Sequence, residues 1–527
     1  MPSIRNPKRF FCFSSFTLLL LTQPVLGQQV SYQIADPREG VQTTVDWHSA
    51  TPPNASGSSS KITEPSSKAT GSSTKDAGTS SKAMGSSSKM AESVVTDACG
   101  CVEGEMMSEE DTVEALTARI EKLEEMLDED NLPAFTADYN KGFRITPRDK
   151  KKTPFELKVN GRLQFRWAGF DGDTDTFTNR LGTIDVPDRN DFEVERGRIE
   201  LKGFAIDPRF KYYFNLDADT DDNHLVIFHD FWFDWDISDH ATLRVGKAKV
   251  PASYEWLESS TTTRFADRSL STTYFRADRS VGVWLLGETP NETYYQFALT
   301  NGFNTTDLEP DDVDDNFAYT LLFYRDPFGD AGKGFSDLEF HESPVIRIGS
   351  SLSYTNTNPN PDGSPTSEQG FAEVSDGAGL TDTGALGPGL TVNEFDQFFT
   401  SIFLTGKYRG FSFNAEYYAR WLENFETVEG PAPGINSLFD SGFYTDVGYF
   451  LVPGTFEVNG RVSQIDGLFG DSWEYAAGFN WFINSTHKHK LSFDASILPG
   501  NPTSSSSPNF ELGQDGVLYR LQYQIAF

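Results

Sequence analysis

The side chains best placed to do chemistry lie between Leu243 and Val281, in the run LRVGKAKVPASYEWLESSTTTRFADRSLSTTYFRADRSV. Arg244, Lys247, Lys249, Arg264, Arg268, Arg276 and Arg279 supply cations there, and Glu255, Glu258, Asp267 and Asp278 supply carboxylates. The run opens as a strand, with Leu243 and Val245 on one face and Arg244 on the other, and breaks at Pro251. No alternation follows until a new strand begins near Arg279 in RSVGVWLLGE. A long charged loop held between two strands is more often functional than idle. Its chemistry would be electrostatic: Arg and Lys offer fixed positive charge and donors to an anion, and no nucleophile is needed.

Catalysis finds no other foothold. The histidines are scattered, with His224, His229 and His240 in or beside strands and His487 and His489 at a turn, none at nucleophile or metal-ligand spacing. G-x-S-x-G, a phosphate-binding loop and H-E-x-x-H are all missing. The expectation is a protein that is not an enzyme and uses no cofactor or metal. A formal charge of −33 argues against a nucleic-acid partner. The three cysteines all lie at or before Cys101, so the rest of the chain owes nothing to disulfides.

The elements that must position these charges are strands. The 44 Phe and 19 Tyr residues accompany a negative mean hydropathy, which suits many strands with one apolar and one wet face. From Phe155 to Trp167 the odd positions are apolar or Gly and the even ones are Glu156, Lys158, Asn160, Arg162, Gln164 and Arg166. Such strict alternation is a strand signal. It recurs at 209–218, 411–421 and 517–527. Further candidates lie near 192–205, 225–236, 240–249, 280–288, 293–301, 316–325, 345–355, 396–408, 442–452, 455–465, 473–483 and 489–497. An even number near 16 is expected between 154 and 527.

Rings sit on the apolar faces and often at their ends, as in Phe155 with Trp167, Phe231 with Trp235, and Phe411 with Trp421. That placement matches the aromatic girdles of a membrane barrel. The expected fold is therefore an all-β transmembrane barrel of about 16 antiparallel strands. Phe527 closing the last strand resembles the assembly signal of outer-membrane barrels.

The segment before the barrel reads differently. Residues 1–27 look like a signal peptide, with Arg5, Lys8 and Arg9 ahead of the apolar run Phe10 to Leu21 and small residues near Gly27. Residues 28–107 form a Ser/Thr/Lys/Gly-rich linker, in which Lys61, Lys68, Lys75, Lys82 and Lys89 recur every seven residues with no apolar seam. A flexible periplasmic tether is expected, or a basic arm touching the cell wall. Cys99 and Cys101 are too close for an easy bridge and would be free or link neighbouring chains. A short helix is expected over 108–130, with Val113, Leu116, Ile120, Leu123 and Leu127 at heptad spacing. Its Arg119-Ile120-Glu121-Lys122-Leu123-Glu124 run resembles a short trimerisation motif, so a homotrimer is expected.

The opening run, residues 192–204 (FEVERGRIELKGF), residues 441–461 (SGFYTDVGYFLVPGTFEVNGR) and the hairpin at 473–496 together resemble the phosphate-selective porin family (porin O and P). The resemblance covers most of 155–527 and nothing before about 140. It implies a loop near 252–278 folded inside an outer-membrane barrel, and an N-terminal arm in the periplasm. The implied anion path runs through Lys247, Lys249, Arg264, Arg268, Arg276, Arg279, Arg244, Arg162, Arg166 and Arg198, with Glu255, Glu258 and Asp267 as the loop's carboxylates. Outer-membrane lipid and small anions such as phosphate are the implied partners. Because carboxylates share the loop, a weakly selective general porin stays open as a reading. The acidic insertion at 357–394 keeps open a barrel that merely anchors a surface-binding or adhesion function, and a soluble all-β secreted protein is a further alternative.

Overall fold

The computed structural model describes residues 109–126 and 134–527, apart from 221–225, 306–307, 309–311, 429–433 and 506–507. The expected signal segment, the linker with Cys99 and Cys101, and Leu127 lie outside the described residues. All of the described residues belong to one unit, Glu105–Phe527.

Helix α1 spans Glu109–Met126 and carries Val113 and Glu124 within its span. Of the apolar stripe expected from the heptad spacing, Leu116 and Ile120 are each more than half exposed.

The strands are β1 (Phe135–Tyr139), β2 (Phe143–Pro147), β3 (Phe155–Gly172), β4 (Thr176–Asn179), β5 (Gly182–Asp185), β6 (Arg189–Ala205), β7 (Asp207–Ala218) and β8 (Val226–Ser238). They continue with β9 (Ala241–Lys249), β10 (Arg279–Glu288), β11 (Thr293–Thr300), β12 (Ala318–Phe328), β13 (Val345–Thr357) and β14 (Val392–Tyr408). The last six are β15 (Phe411–Thr427), β16 (Ser437–Val452), β17 (Phe456–Gly467), β18 (Gly470–Phe482), β19 (His489–Leu498) and β20 (Gly516–Ala526). Each strand from β6 to β20 pairs antiparallel with the next, and β20 returns to β3 from Gly516↔Gly172 to Ala526↔Arg162. With β4–β5 a separate hairpin in the first loop, the result is a closed 16-stranded barrel. The hairpin β1–β2 adds to the lower edge of β3, before the boundary expected at 154.

Burial along the strands is inverted relative to a soluble protein. On β15, Tyr417 is 46% exposed while its neighbour Glu416 is 2% exposed. Outward positions pair ring to ring across strands, as with Phe398 and Trp421, and carry the apolar surface that lipid requires. Phe527 docks at the closing seam: its N–H donates to the Gly161 carbonyl, and its ring fills the place a Cβ on residue 161 would take. Gly161 is what lets the seam close that tightly.

Connections at the end carrying Phe527 are mostly tight, with one exception at 329–344. The opposite end carries long loops. Within the loop at 358–391, Ala372, Val374 and Leu380 pack with Phe395, Leu422 and Leu438, giving that end of the barrel a small apolar core. Two carboxyls of this loop, Glu368 buried and Glu373 half-buried, are shifted: desolvation, with Asp314 adding, pushes Glu368 up to about 8, and desolvation pushes Glu373 up to about 7.

Candidate functional site: the constriction inside the barrel

Leaving β9 at Pro251, the chain turns into the lumen and stays there until β10. Two short helical turns, α2 (Tyr254–Leu257) and α3 (Leu270–Tyr274), are fastened to the β14–β20 wall by carboxylates that period-2 alternation points inward. Glu416 accepts from the backbone N–H groups of Tyr254 and Glu255 at 2.8 and 3.0 Å. Glu474 accepts from Leu270 N and Asp494 from Ala266 N. Where the loop presents side chains instead, each meets its opposite charge: Glu255 pairs with Arg461 at 3.2 Å, Arg264 with Asp446 at 3.0 Å, and Asp267 with Arg166 and Arg196 at 3.2 and 2.7 Å. Burial works against the Asp267 charge, but Arg196, Arg166 and Arg268 outweigh it and hold the carboxyl below its usual range. Burial raises Glu255 despite Arg461.

Space remains on the other side, against β3 and β6–β13. The narrower part is a cavity of about 200 Å³ lined by Arg162, Arg196, Arg198, Lys249, Arg268 and Arg279, with only Glu200 and Asp230 as lining carboxylates. Several of these cations sit directly opposite one another in register: Arg162 faces Arg198, and Lys249 faces Arg279. Lys158 faces Lys202 further down the same pair of strands, beyond Asn160 and Glu200. Like charges directly opposed on a sheet are destabilising on their own.

Part of this charge is neutralised and part is not. Arg198 is bound by Asp217, and Arg279 by Asp230 and Asp278. The hydrogen bond given to Arg162 is a long one, to Ser259 Oγ at 3.5 Å, and no described carboxylate lies within ion-pair distance of it. Lys249 Nζ donates only to the carbonyls of Trp256, Leu257 and Glu258. Arg268 reaches Asp267 at 3.5 Å and three loop carbonyls. Burial lowers Arg268 to about 10, which leaves it charged at neutral pH.

Trp256 holds this group together. Lys249, Arg268, Arg276 and Arg279 approach its ring at 4.9, 4.6, 5.2 and 5.3 Å. A π face attracts cations without cancelling their charge. The indole therefore gathers positive groups without itself neutralising them, while Asp278 pairs with Arg276 and Arg279, and the indole N–H is anchored on the Asp278 carbonyl.

Of the residues expected in the anion path, the structure brings Arg162, Arg198, Lys249, Arg268 and Arg279 to one cavity and Arg244 to the larger cavity beside it. Four are placed elsewhere. Arg166 and Arg264 are fully buried in closed ion-pair networks. Lys247 shares the outward face with its register partners Phe231 and Val281 and donates to the Phe228 carbonyl. Arg276 pairs with Asp278 and lines neither cavity. Among the loop's carboxylates Glu255 and Asp267 are buried anchors, and Glu258 lines the larger cavity while accepting from Tyr254 Oη and the Gly334 N–H.

The site also has parts that were not expected. Arg196 belongs to the lining, and Trp256 centres it. The connection 329–344 folds back into the lumen and clamps the loop's tip: Arg264 donates to the Phe335 carbonyl, and Ser336 Oγ donates to Glu457. The glycines at 329, 332 and 334 in a connection far longer than its neighbours were its only signal.

Residues 159–323 match the model of the phosphate-selective porin O and P family. The matched segment contains β6 to β11, the constriction loop and every lining cation named above. No curated protein matches the chain. Solved structures with a similar barrel include the in-vitro folded trimer form of OmpT from Vibrio cholerae, at 8% identity over 71% of this chain and 99% of that one, with a TM-score of 0.45. Salmonella typhi OmpF in complex with daunomycin is similar at 10% identity over 74% and 100% (TM-score 0.43). The outer-membrane channel DcaP of Acinetobacter baumannii is similar at 11% over 71% and 97% (TM-score 0.40).

Proposed function

We propose that the protein is an anion-preferring porin, through which small hydrophilic anions, phosphate among them, diffuse passively. The observation that carries this reading is the constriction cavity, where six cationic side chains meet two carboxylates and where Arg162 and Lys249 have no carboxylate in reach. In a narrow lumen with low-dielectric walls, such charge raises the local concentration of anions and repels cations. The opposed pairs Arg162–Arg198 and Lys249–Arg279 are relieved when an anion lies between them. No energy source or cofactor is involved.

The same reading places the end with Phe527 in the periplasm, together with the N-terminal arm and its linker. Helix α1 would meet two further copies through Leu116 and Ile120, since a helix of this length with an uncovered apolar stripe is marginal alone in water. The protein would then be a homotrimer in the outer membrane.

The test is conductance of the refolded protein in a planar bilayer under a salt gradient. The expected reversal potential has the sign of anion preference, and inorganic phosphate reduces the chloride current. An unselective current would leave a general porin. A heat-resistant barrel with no current would leave a surface anchor.

A further inference from the structure

The lumen holds a second chamber that a bare oxyanion does not need. It adjoins the constriction on the side of the Phe527 end and encloses about 710 Å³, a volume typical of small-molecule sites, whereas the constriction's 200 Å³ falls below that range. The two share Tyr213, Asp230, Lys249, Leu257 and Ser259, so one solute can extend from one into the other.

The chamber wall is a stripe of rings and guanidinium groups running across β7 to β13. Tyr213 stacks on Trp232 at 5.1 Å and Tyr294 on Tyr324 at 4.7 Å. Arg244 lies 3.7 Å over Trp232 and Arg347 lies 4.3 Å over Tyr324. Both arginines are neutralised by two-point contact with a carboxylate, Asp234 for Arg244 and Asp326 for Arg347. What this stripe offers a solute is therefore ring edge and phenol hydroxyl, faced across the chamber by the carboxylates of Glu258 and Asp330 and by Lys333.

That combination discriminates between solutes. An inorganic anion gains nothing from the rings, and Glu258 and Asp330 offset the attraction of Lys249 and Lys333. An aromatic acid could lie on the rings but has no hydroxyl to donate to those acids. A sugar ring satisfies both, since its C–H surface packs on aromatic carbon and its hydroxyls donate to carboxylate oxygens. We propose that this chamber is a subsite for the sugar ring of a sugar phosphate whose phosphate lies among the constriction cations, with Lys249 common to both parts. The inference rests on the anion reading above and adds the class of solute.

The full chain in a planar bilayer, carrying a chloride current, is challenged with glucose 6-phosphate, inorganic phosphate and glucose. Glucose 6-phosphate is expected to block at a concentration about tenfold lower than inorganic phosphate, the factor that ~1.4 kcal/mol of added contact gives, and glucose should scarcely block. Replacing both Tyr294→Ala and Tyr324→Ala should remove that advantage and leave the phosphate block unchanged. The pair Tyr294→Phe and Tyr324→Phe, which keeps the rings and is safer for folding, should retain most of it. Equal block by the two phosphates on the wild-type protein overturns the inference while leaving the anion channel intact, as does an alanine pair that weakens both blocks alike. An unselective current that no phosphate blocks overturns the anion reading and this inference with it.

Discussion

The two sides of the barrel interior use the same residue types to opposite ends. Against β14–β20 the lumen is filled, and Arg264, Arg420, Arg461 and Arg520 are each matched by a carboxylate within 3.2 Å. Against β3 and β6–β13 it is open, and Arg162 and Lys249 have hydroxyl or carbonyl oxygens as partners instead. Removing water from a charge is costly unless a partner replaces it, so the filled side had to pair its cations. The open side kept its water and was free not to. Most of the charge that holds the loop is thus distinct from the charge that a solute can meet, although Arg196 and Lys249 serve both. An arginine in the lumen says little about transport until its carboxylate is known.

The strongest way to break this contrast is on the filled side. Arg264→Ala leaves Glu457 buried without its cation and Asp446 with only Arg461 at 3.6 Å, and should cost roughly 3–5 kcal/mol. The expected readout is a large drop in the temperature at which the barrel loses its unheated gel mobility. Gly448→Ala should act in the same direction by a smaller amount, because a Cβ there would run into the Arg264 guanidinium and the Glu457 carboxylate. Ion preference of whatever folds should be unchanged in both.

On the open side the pattern reverses. Arg162→Glu should lower anion-over-cation permeability about tenfold, the factor of ~1.4 kcal/mol. Stability should hold, since the new carboxylate faces Arg198 in register and replaces a like-charge pair with an opposite one. Reversal potentials and heat-shift gels on one preparation check both halves of this expectation. If Arg162→Glu unfolds the barrel and Arg264→Ala changes selectivity, the division is wrong.

Trp256→Leu tests how the open side tolerates its crowding. Losing the ring that four cations share should reduce selectivity by several-fold, since each such contact is worth about 0.5–2 kcal/mol. Single-channel recordings should also become noisier as the loop loosens.

The smallest effect concerns the long loop at the far end. Glu368 and Glu373 bind protons more tightly folded than unfolded, so their burial is favoured at low pH. Protection of 358–391 against hydrogen exchange should be greatest below about pH 4. It should decline as pH rises through 7 and 8, the folded values of the two groups. Glu368→Gln with Glu373→Gln should flatten that dependence.

The strands were legible because lipid outside and water inside impose period 2 on every crossing segment. All 16 barrel strands fall where alternation was read, and β20 closes on β3 at the expected last strand. The hairpins β1–β2 and β4–β5 were missed because each has only four or five residues per strand, too short to display a period. Lys247 was misplaced although its parity with Val245 already put it outward. Lys249 has that same parity and yet reaches the lumen, because its amine follows the carbonyls of the turn after Pro251.

From the sequence alone came the barrel, its strand number and the long loop after Pro251, since these follow from local alternation and its interruption, while the loop's place inside the barrel was implied by the family resemblance. Which arginines are silent was decided by the tertiary structure. Arg166 and Arg162 look alike on one strand, four residues apart, and so do many inward cations. The carboxylates that distinguish them arrive from far along the chain, Asp267 for Arg166 and Glu457 for Arg264. Only closure of the barrel brings those partners within reach, and only the loop's choice of one wall leaves the other in water.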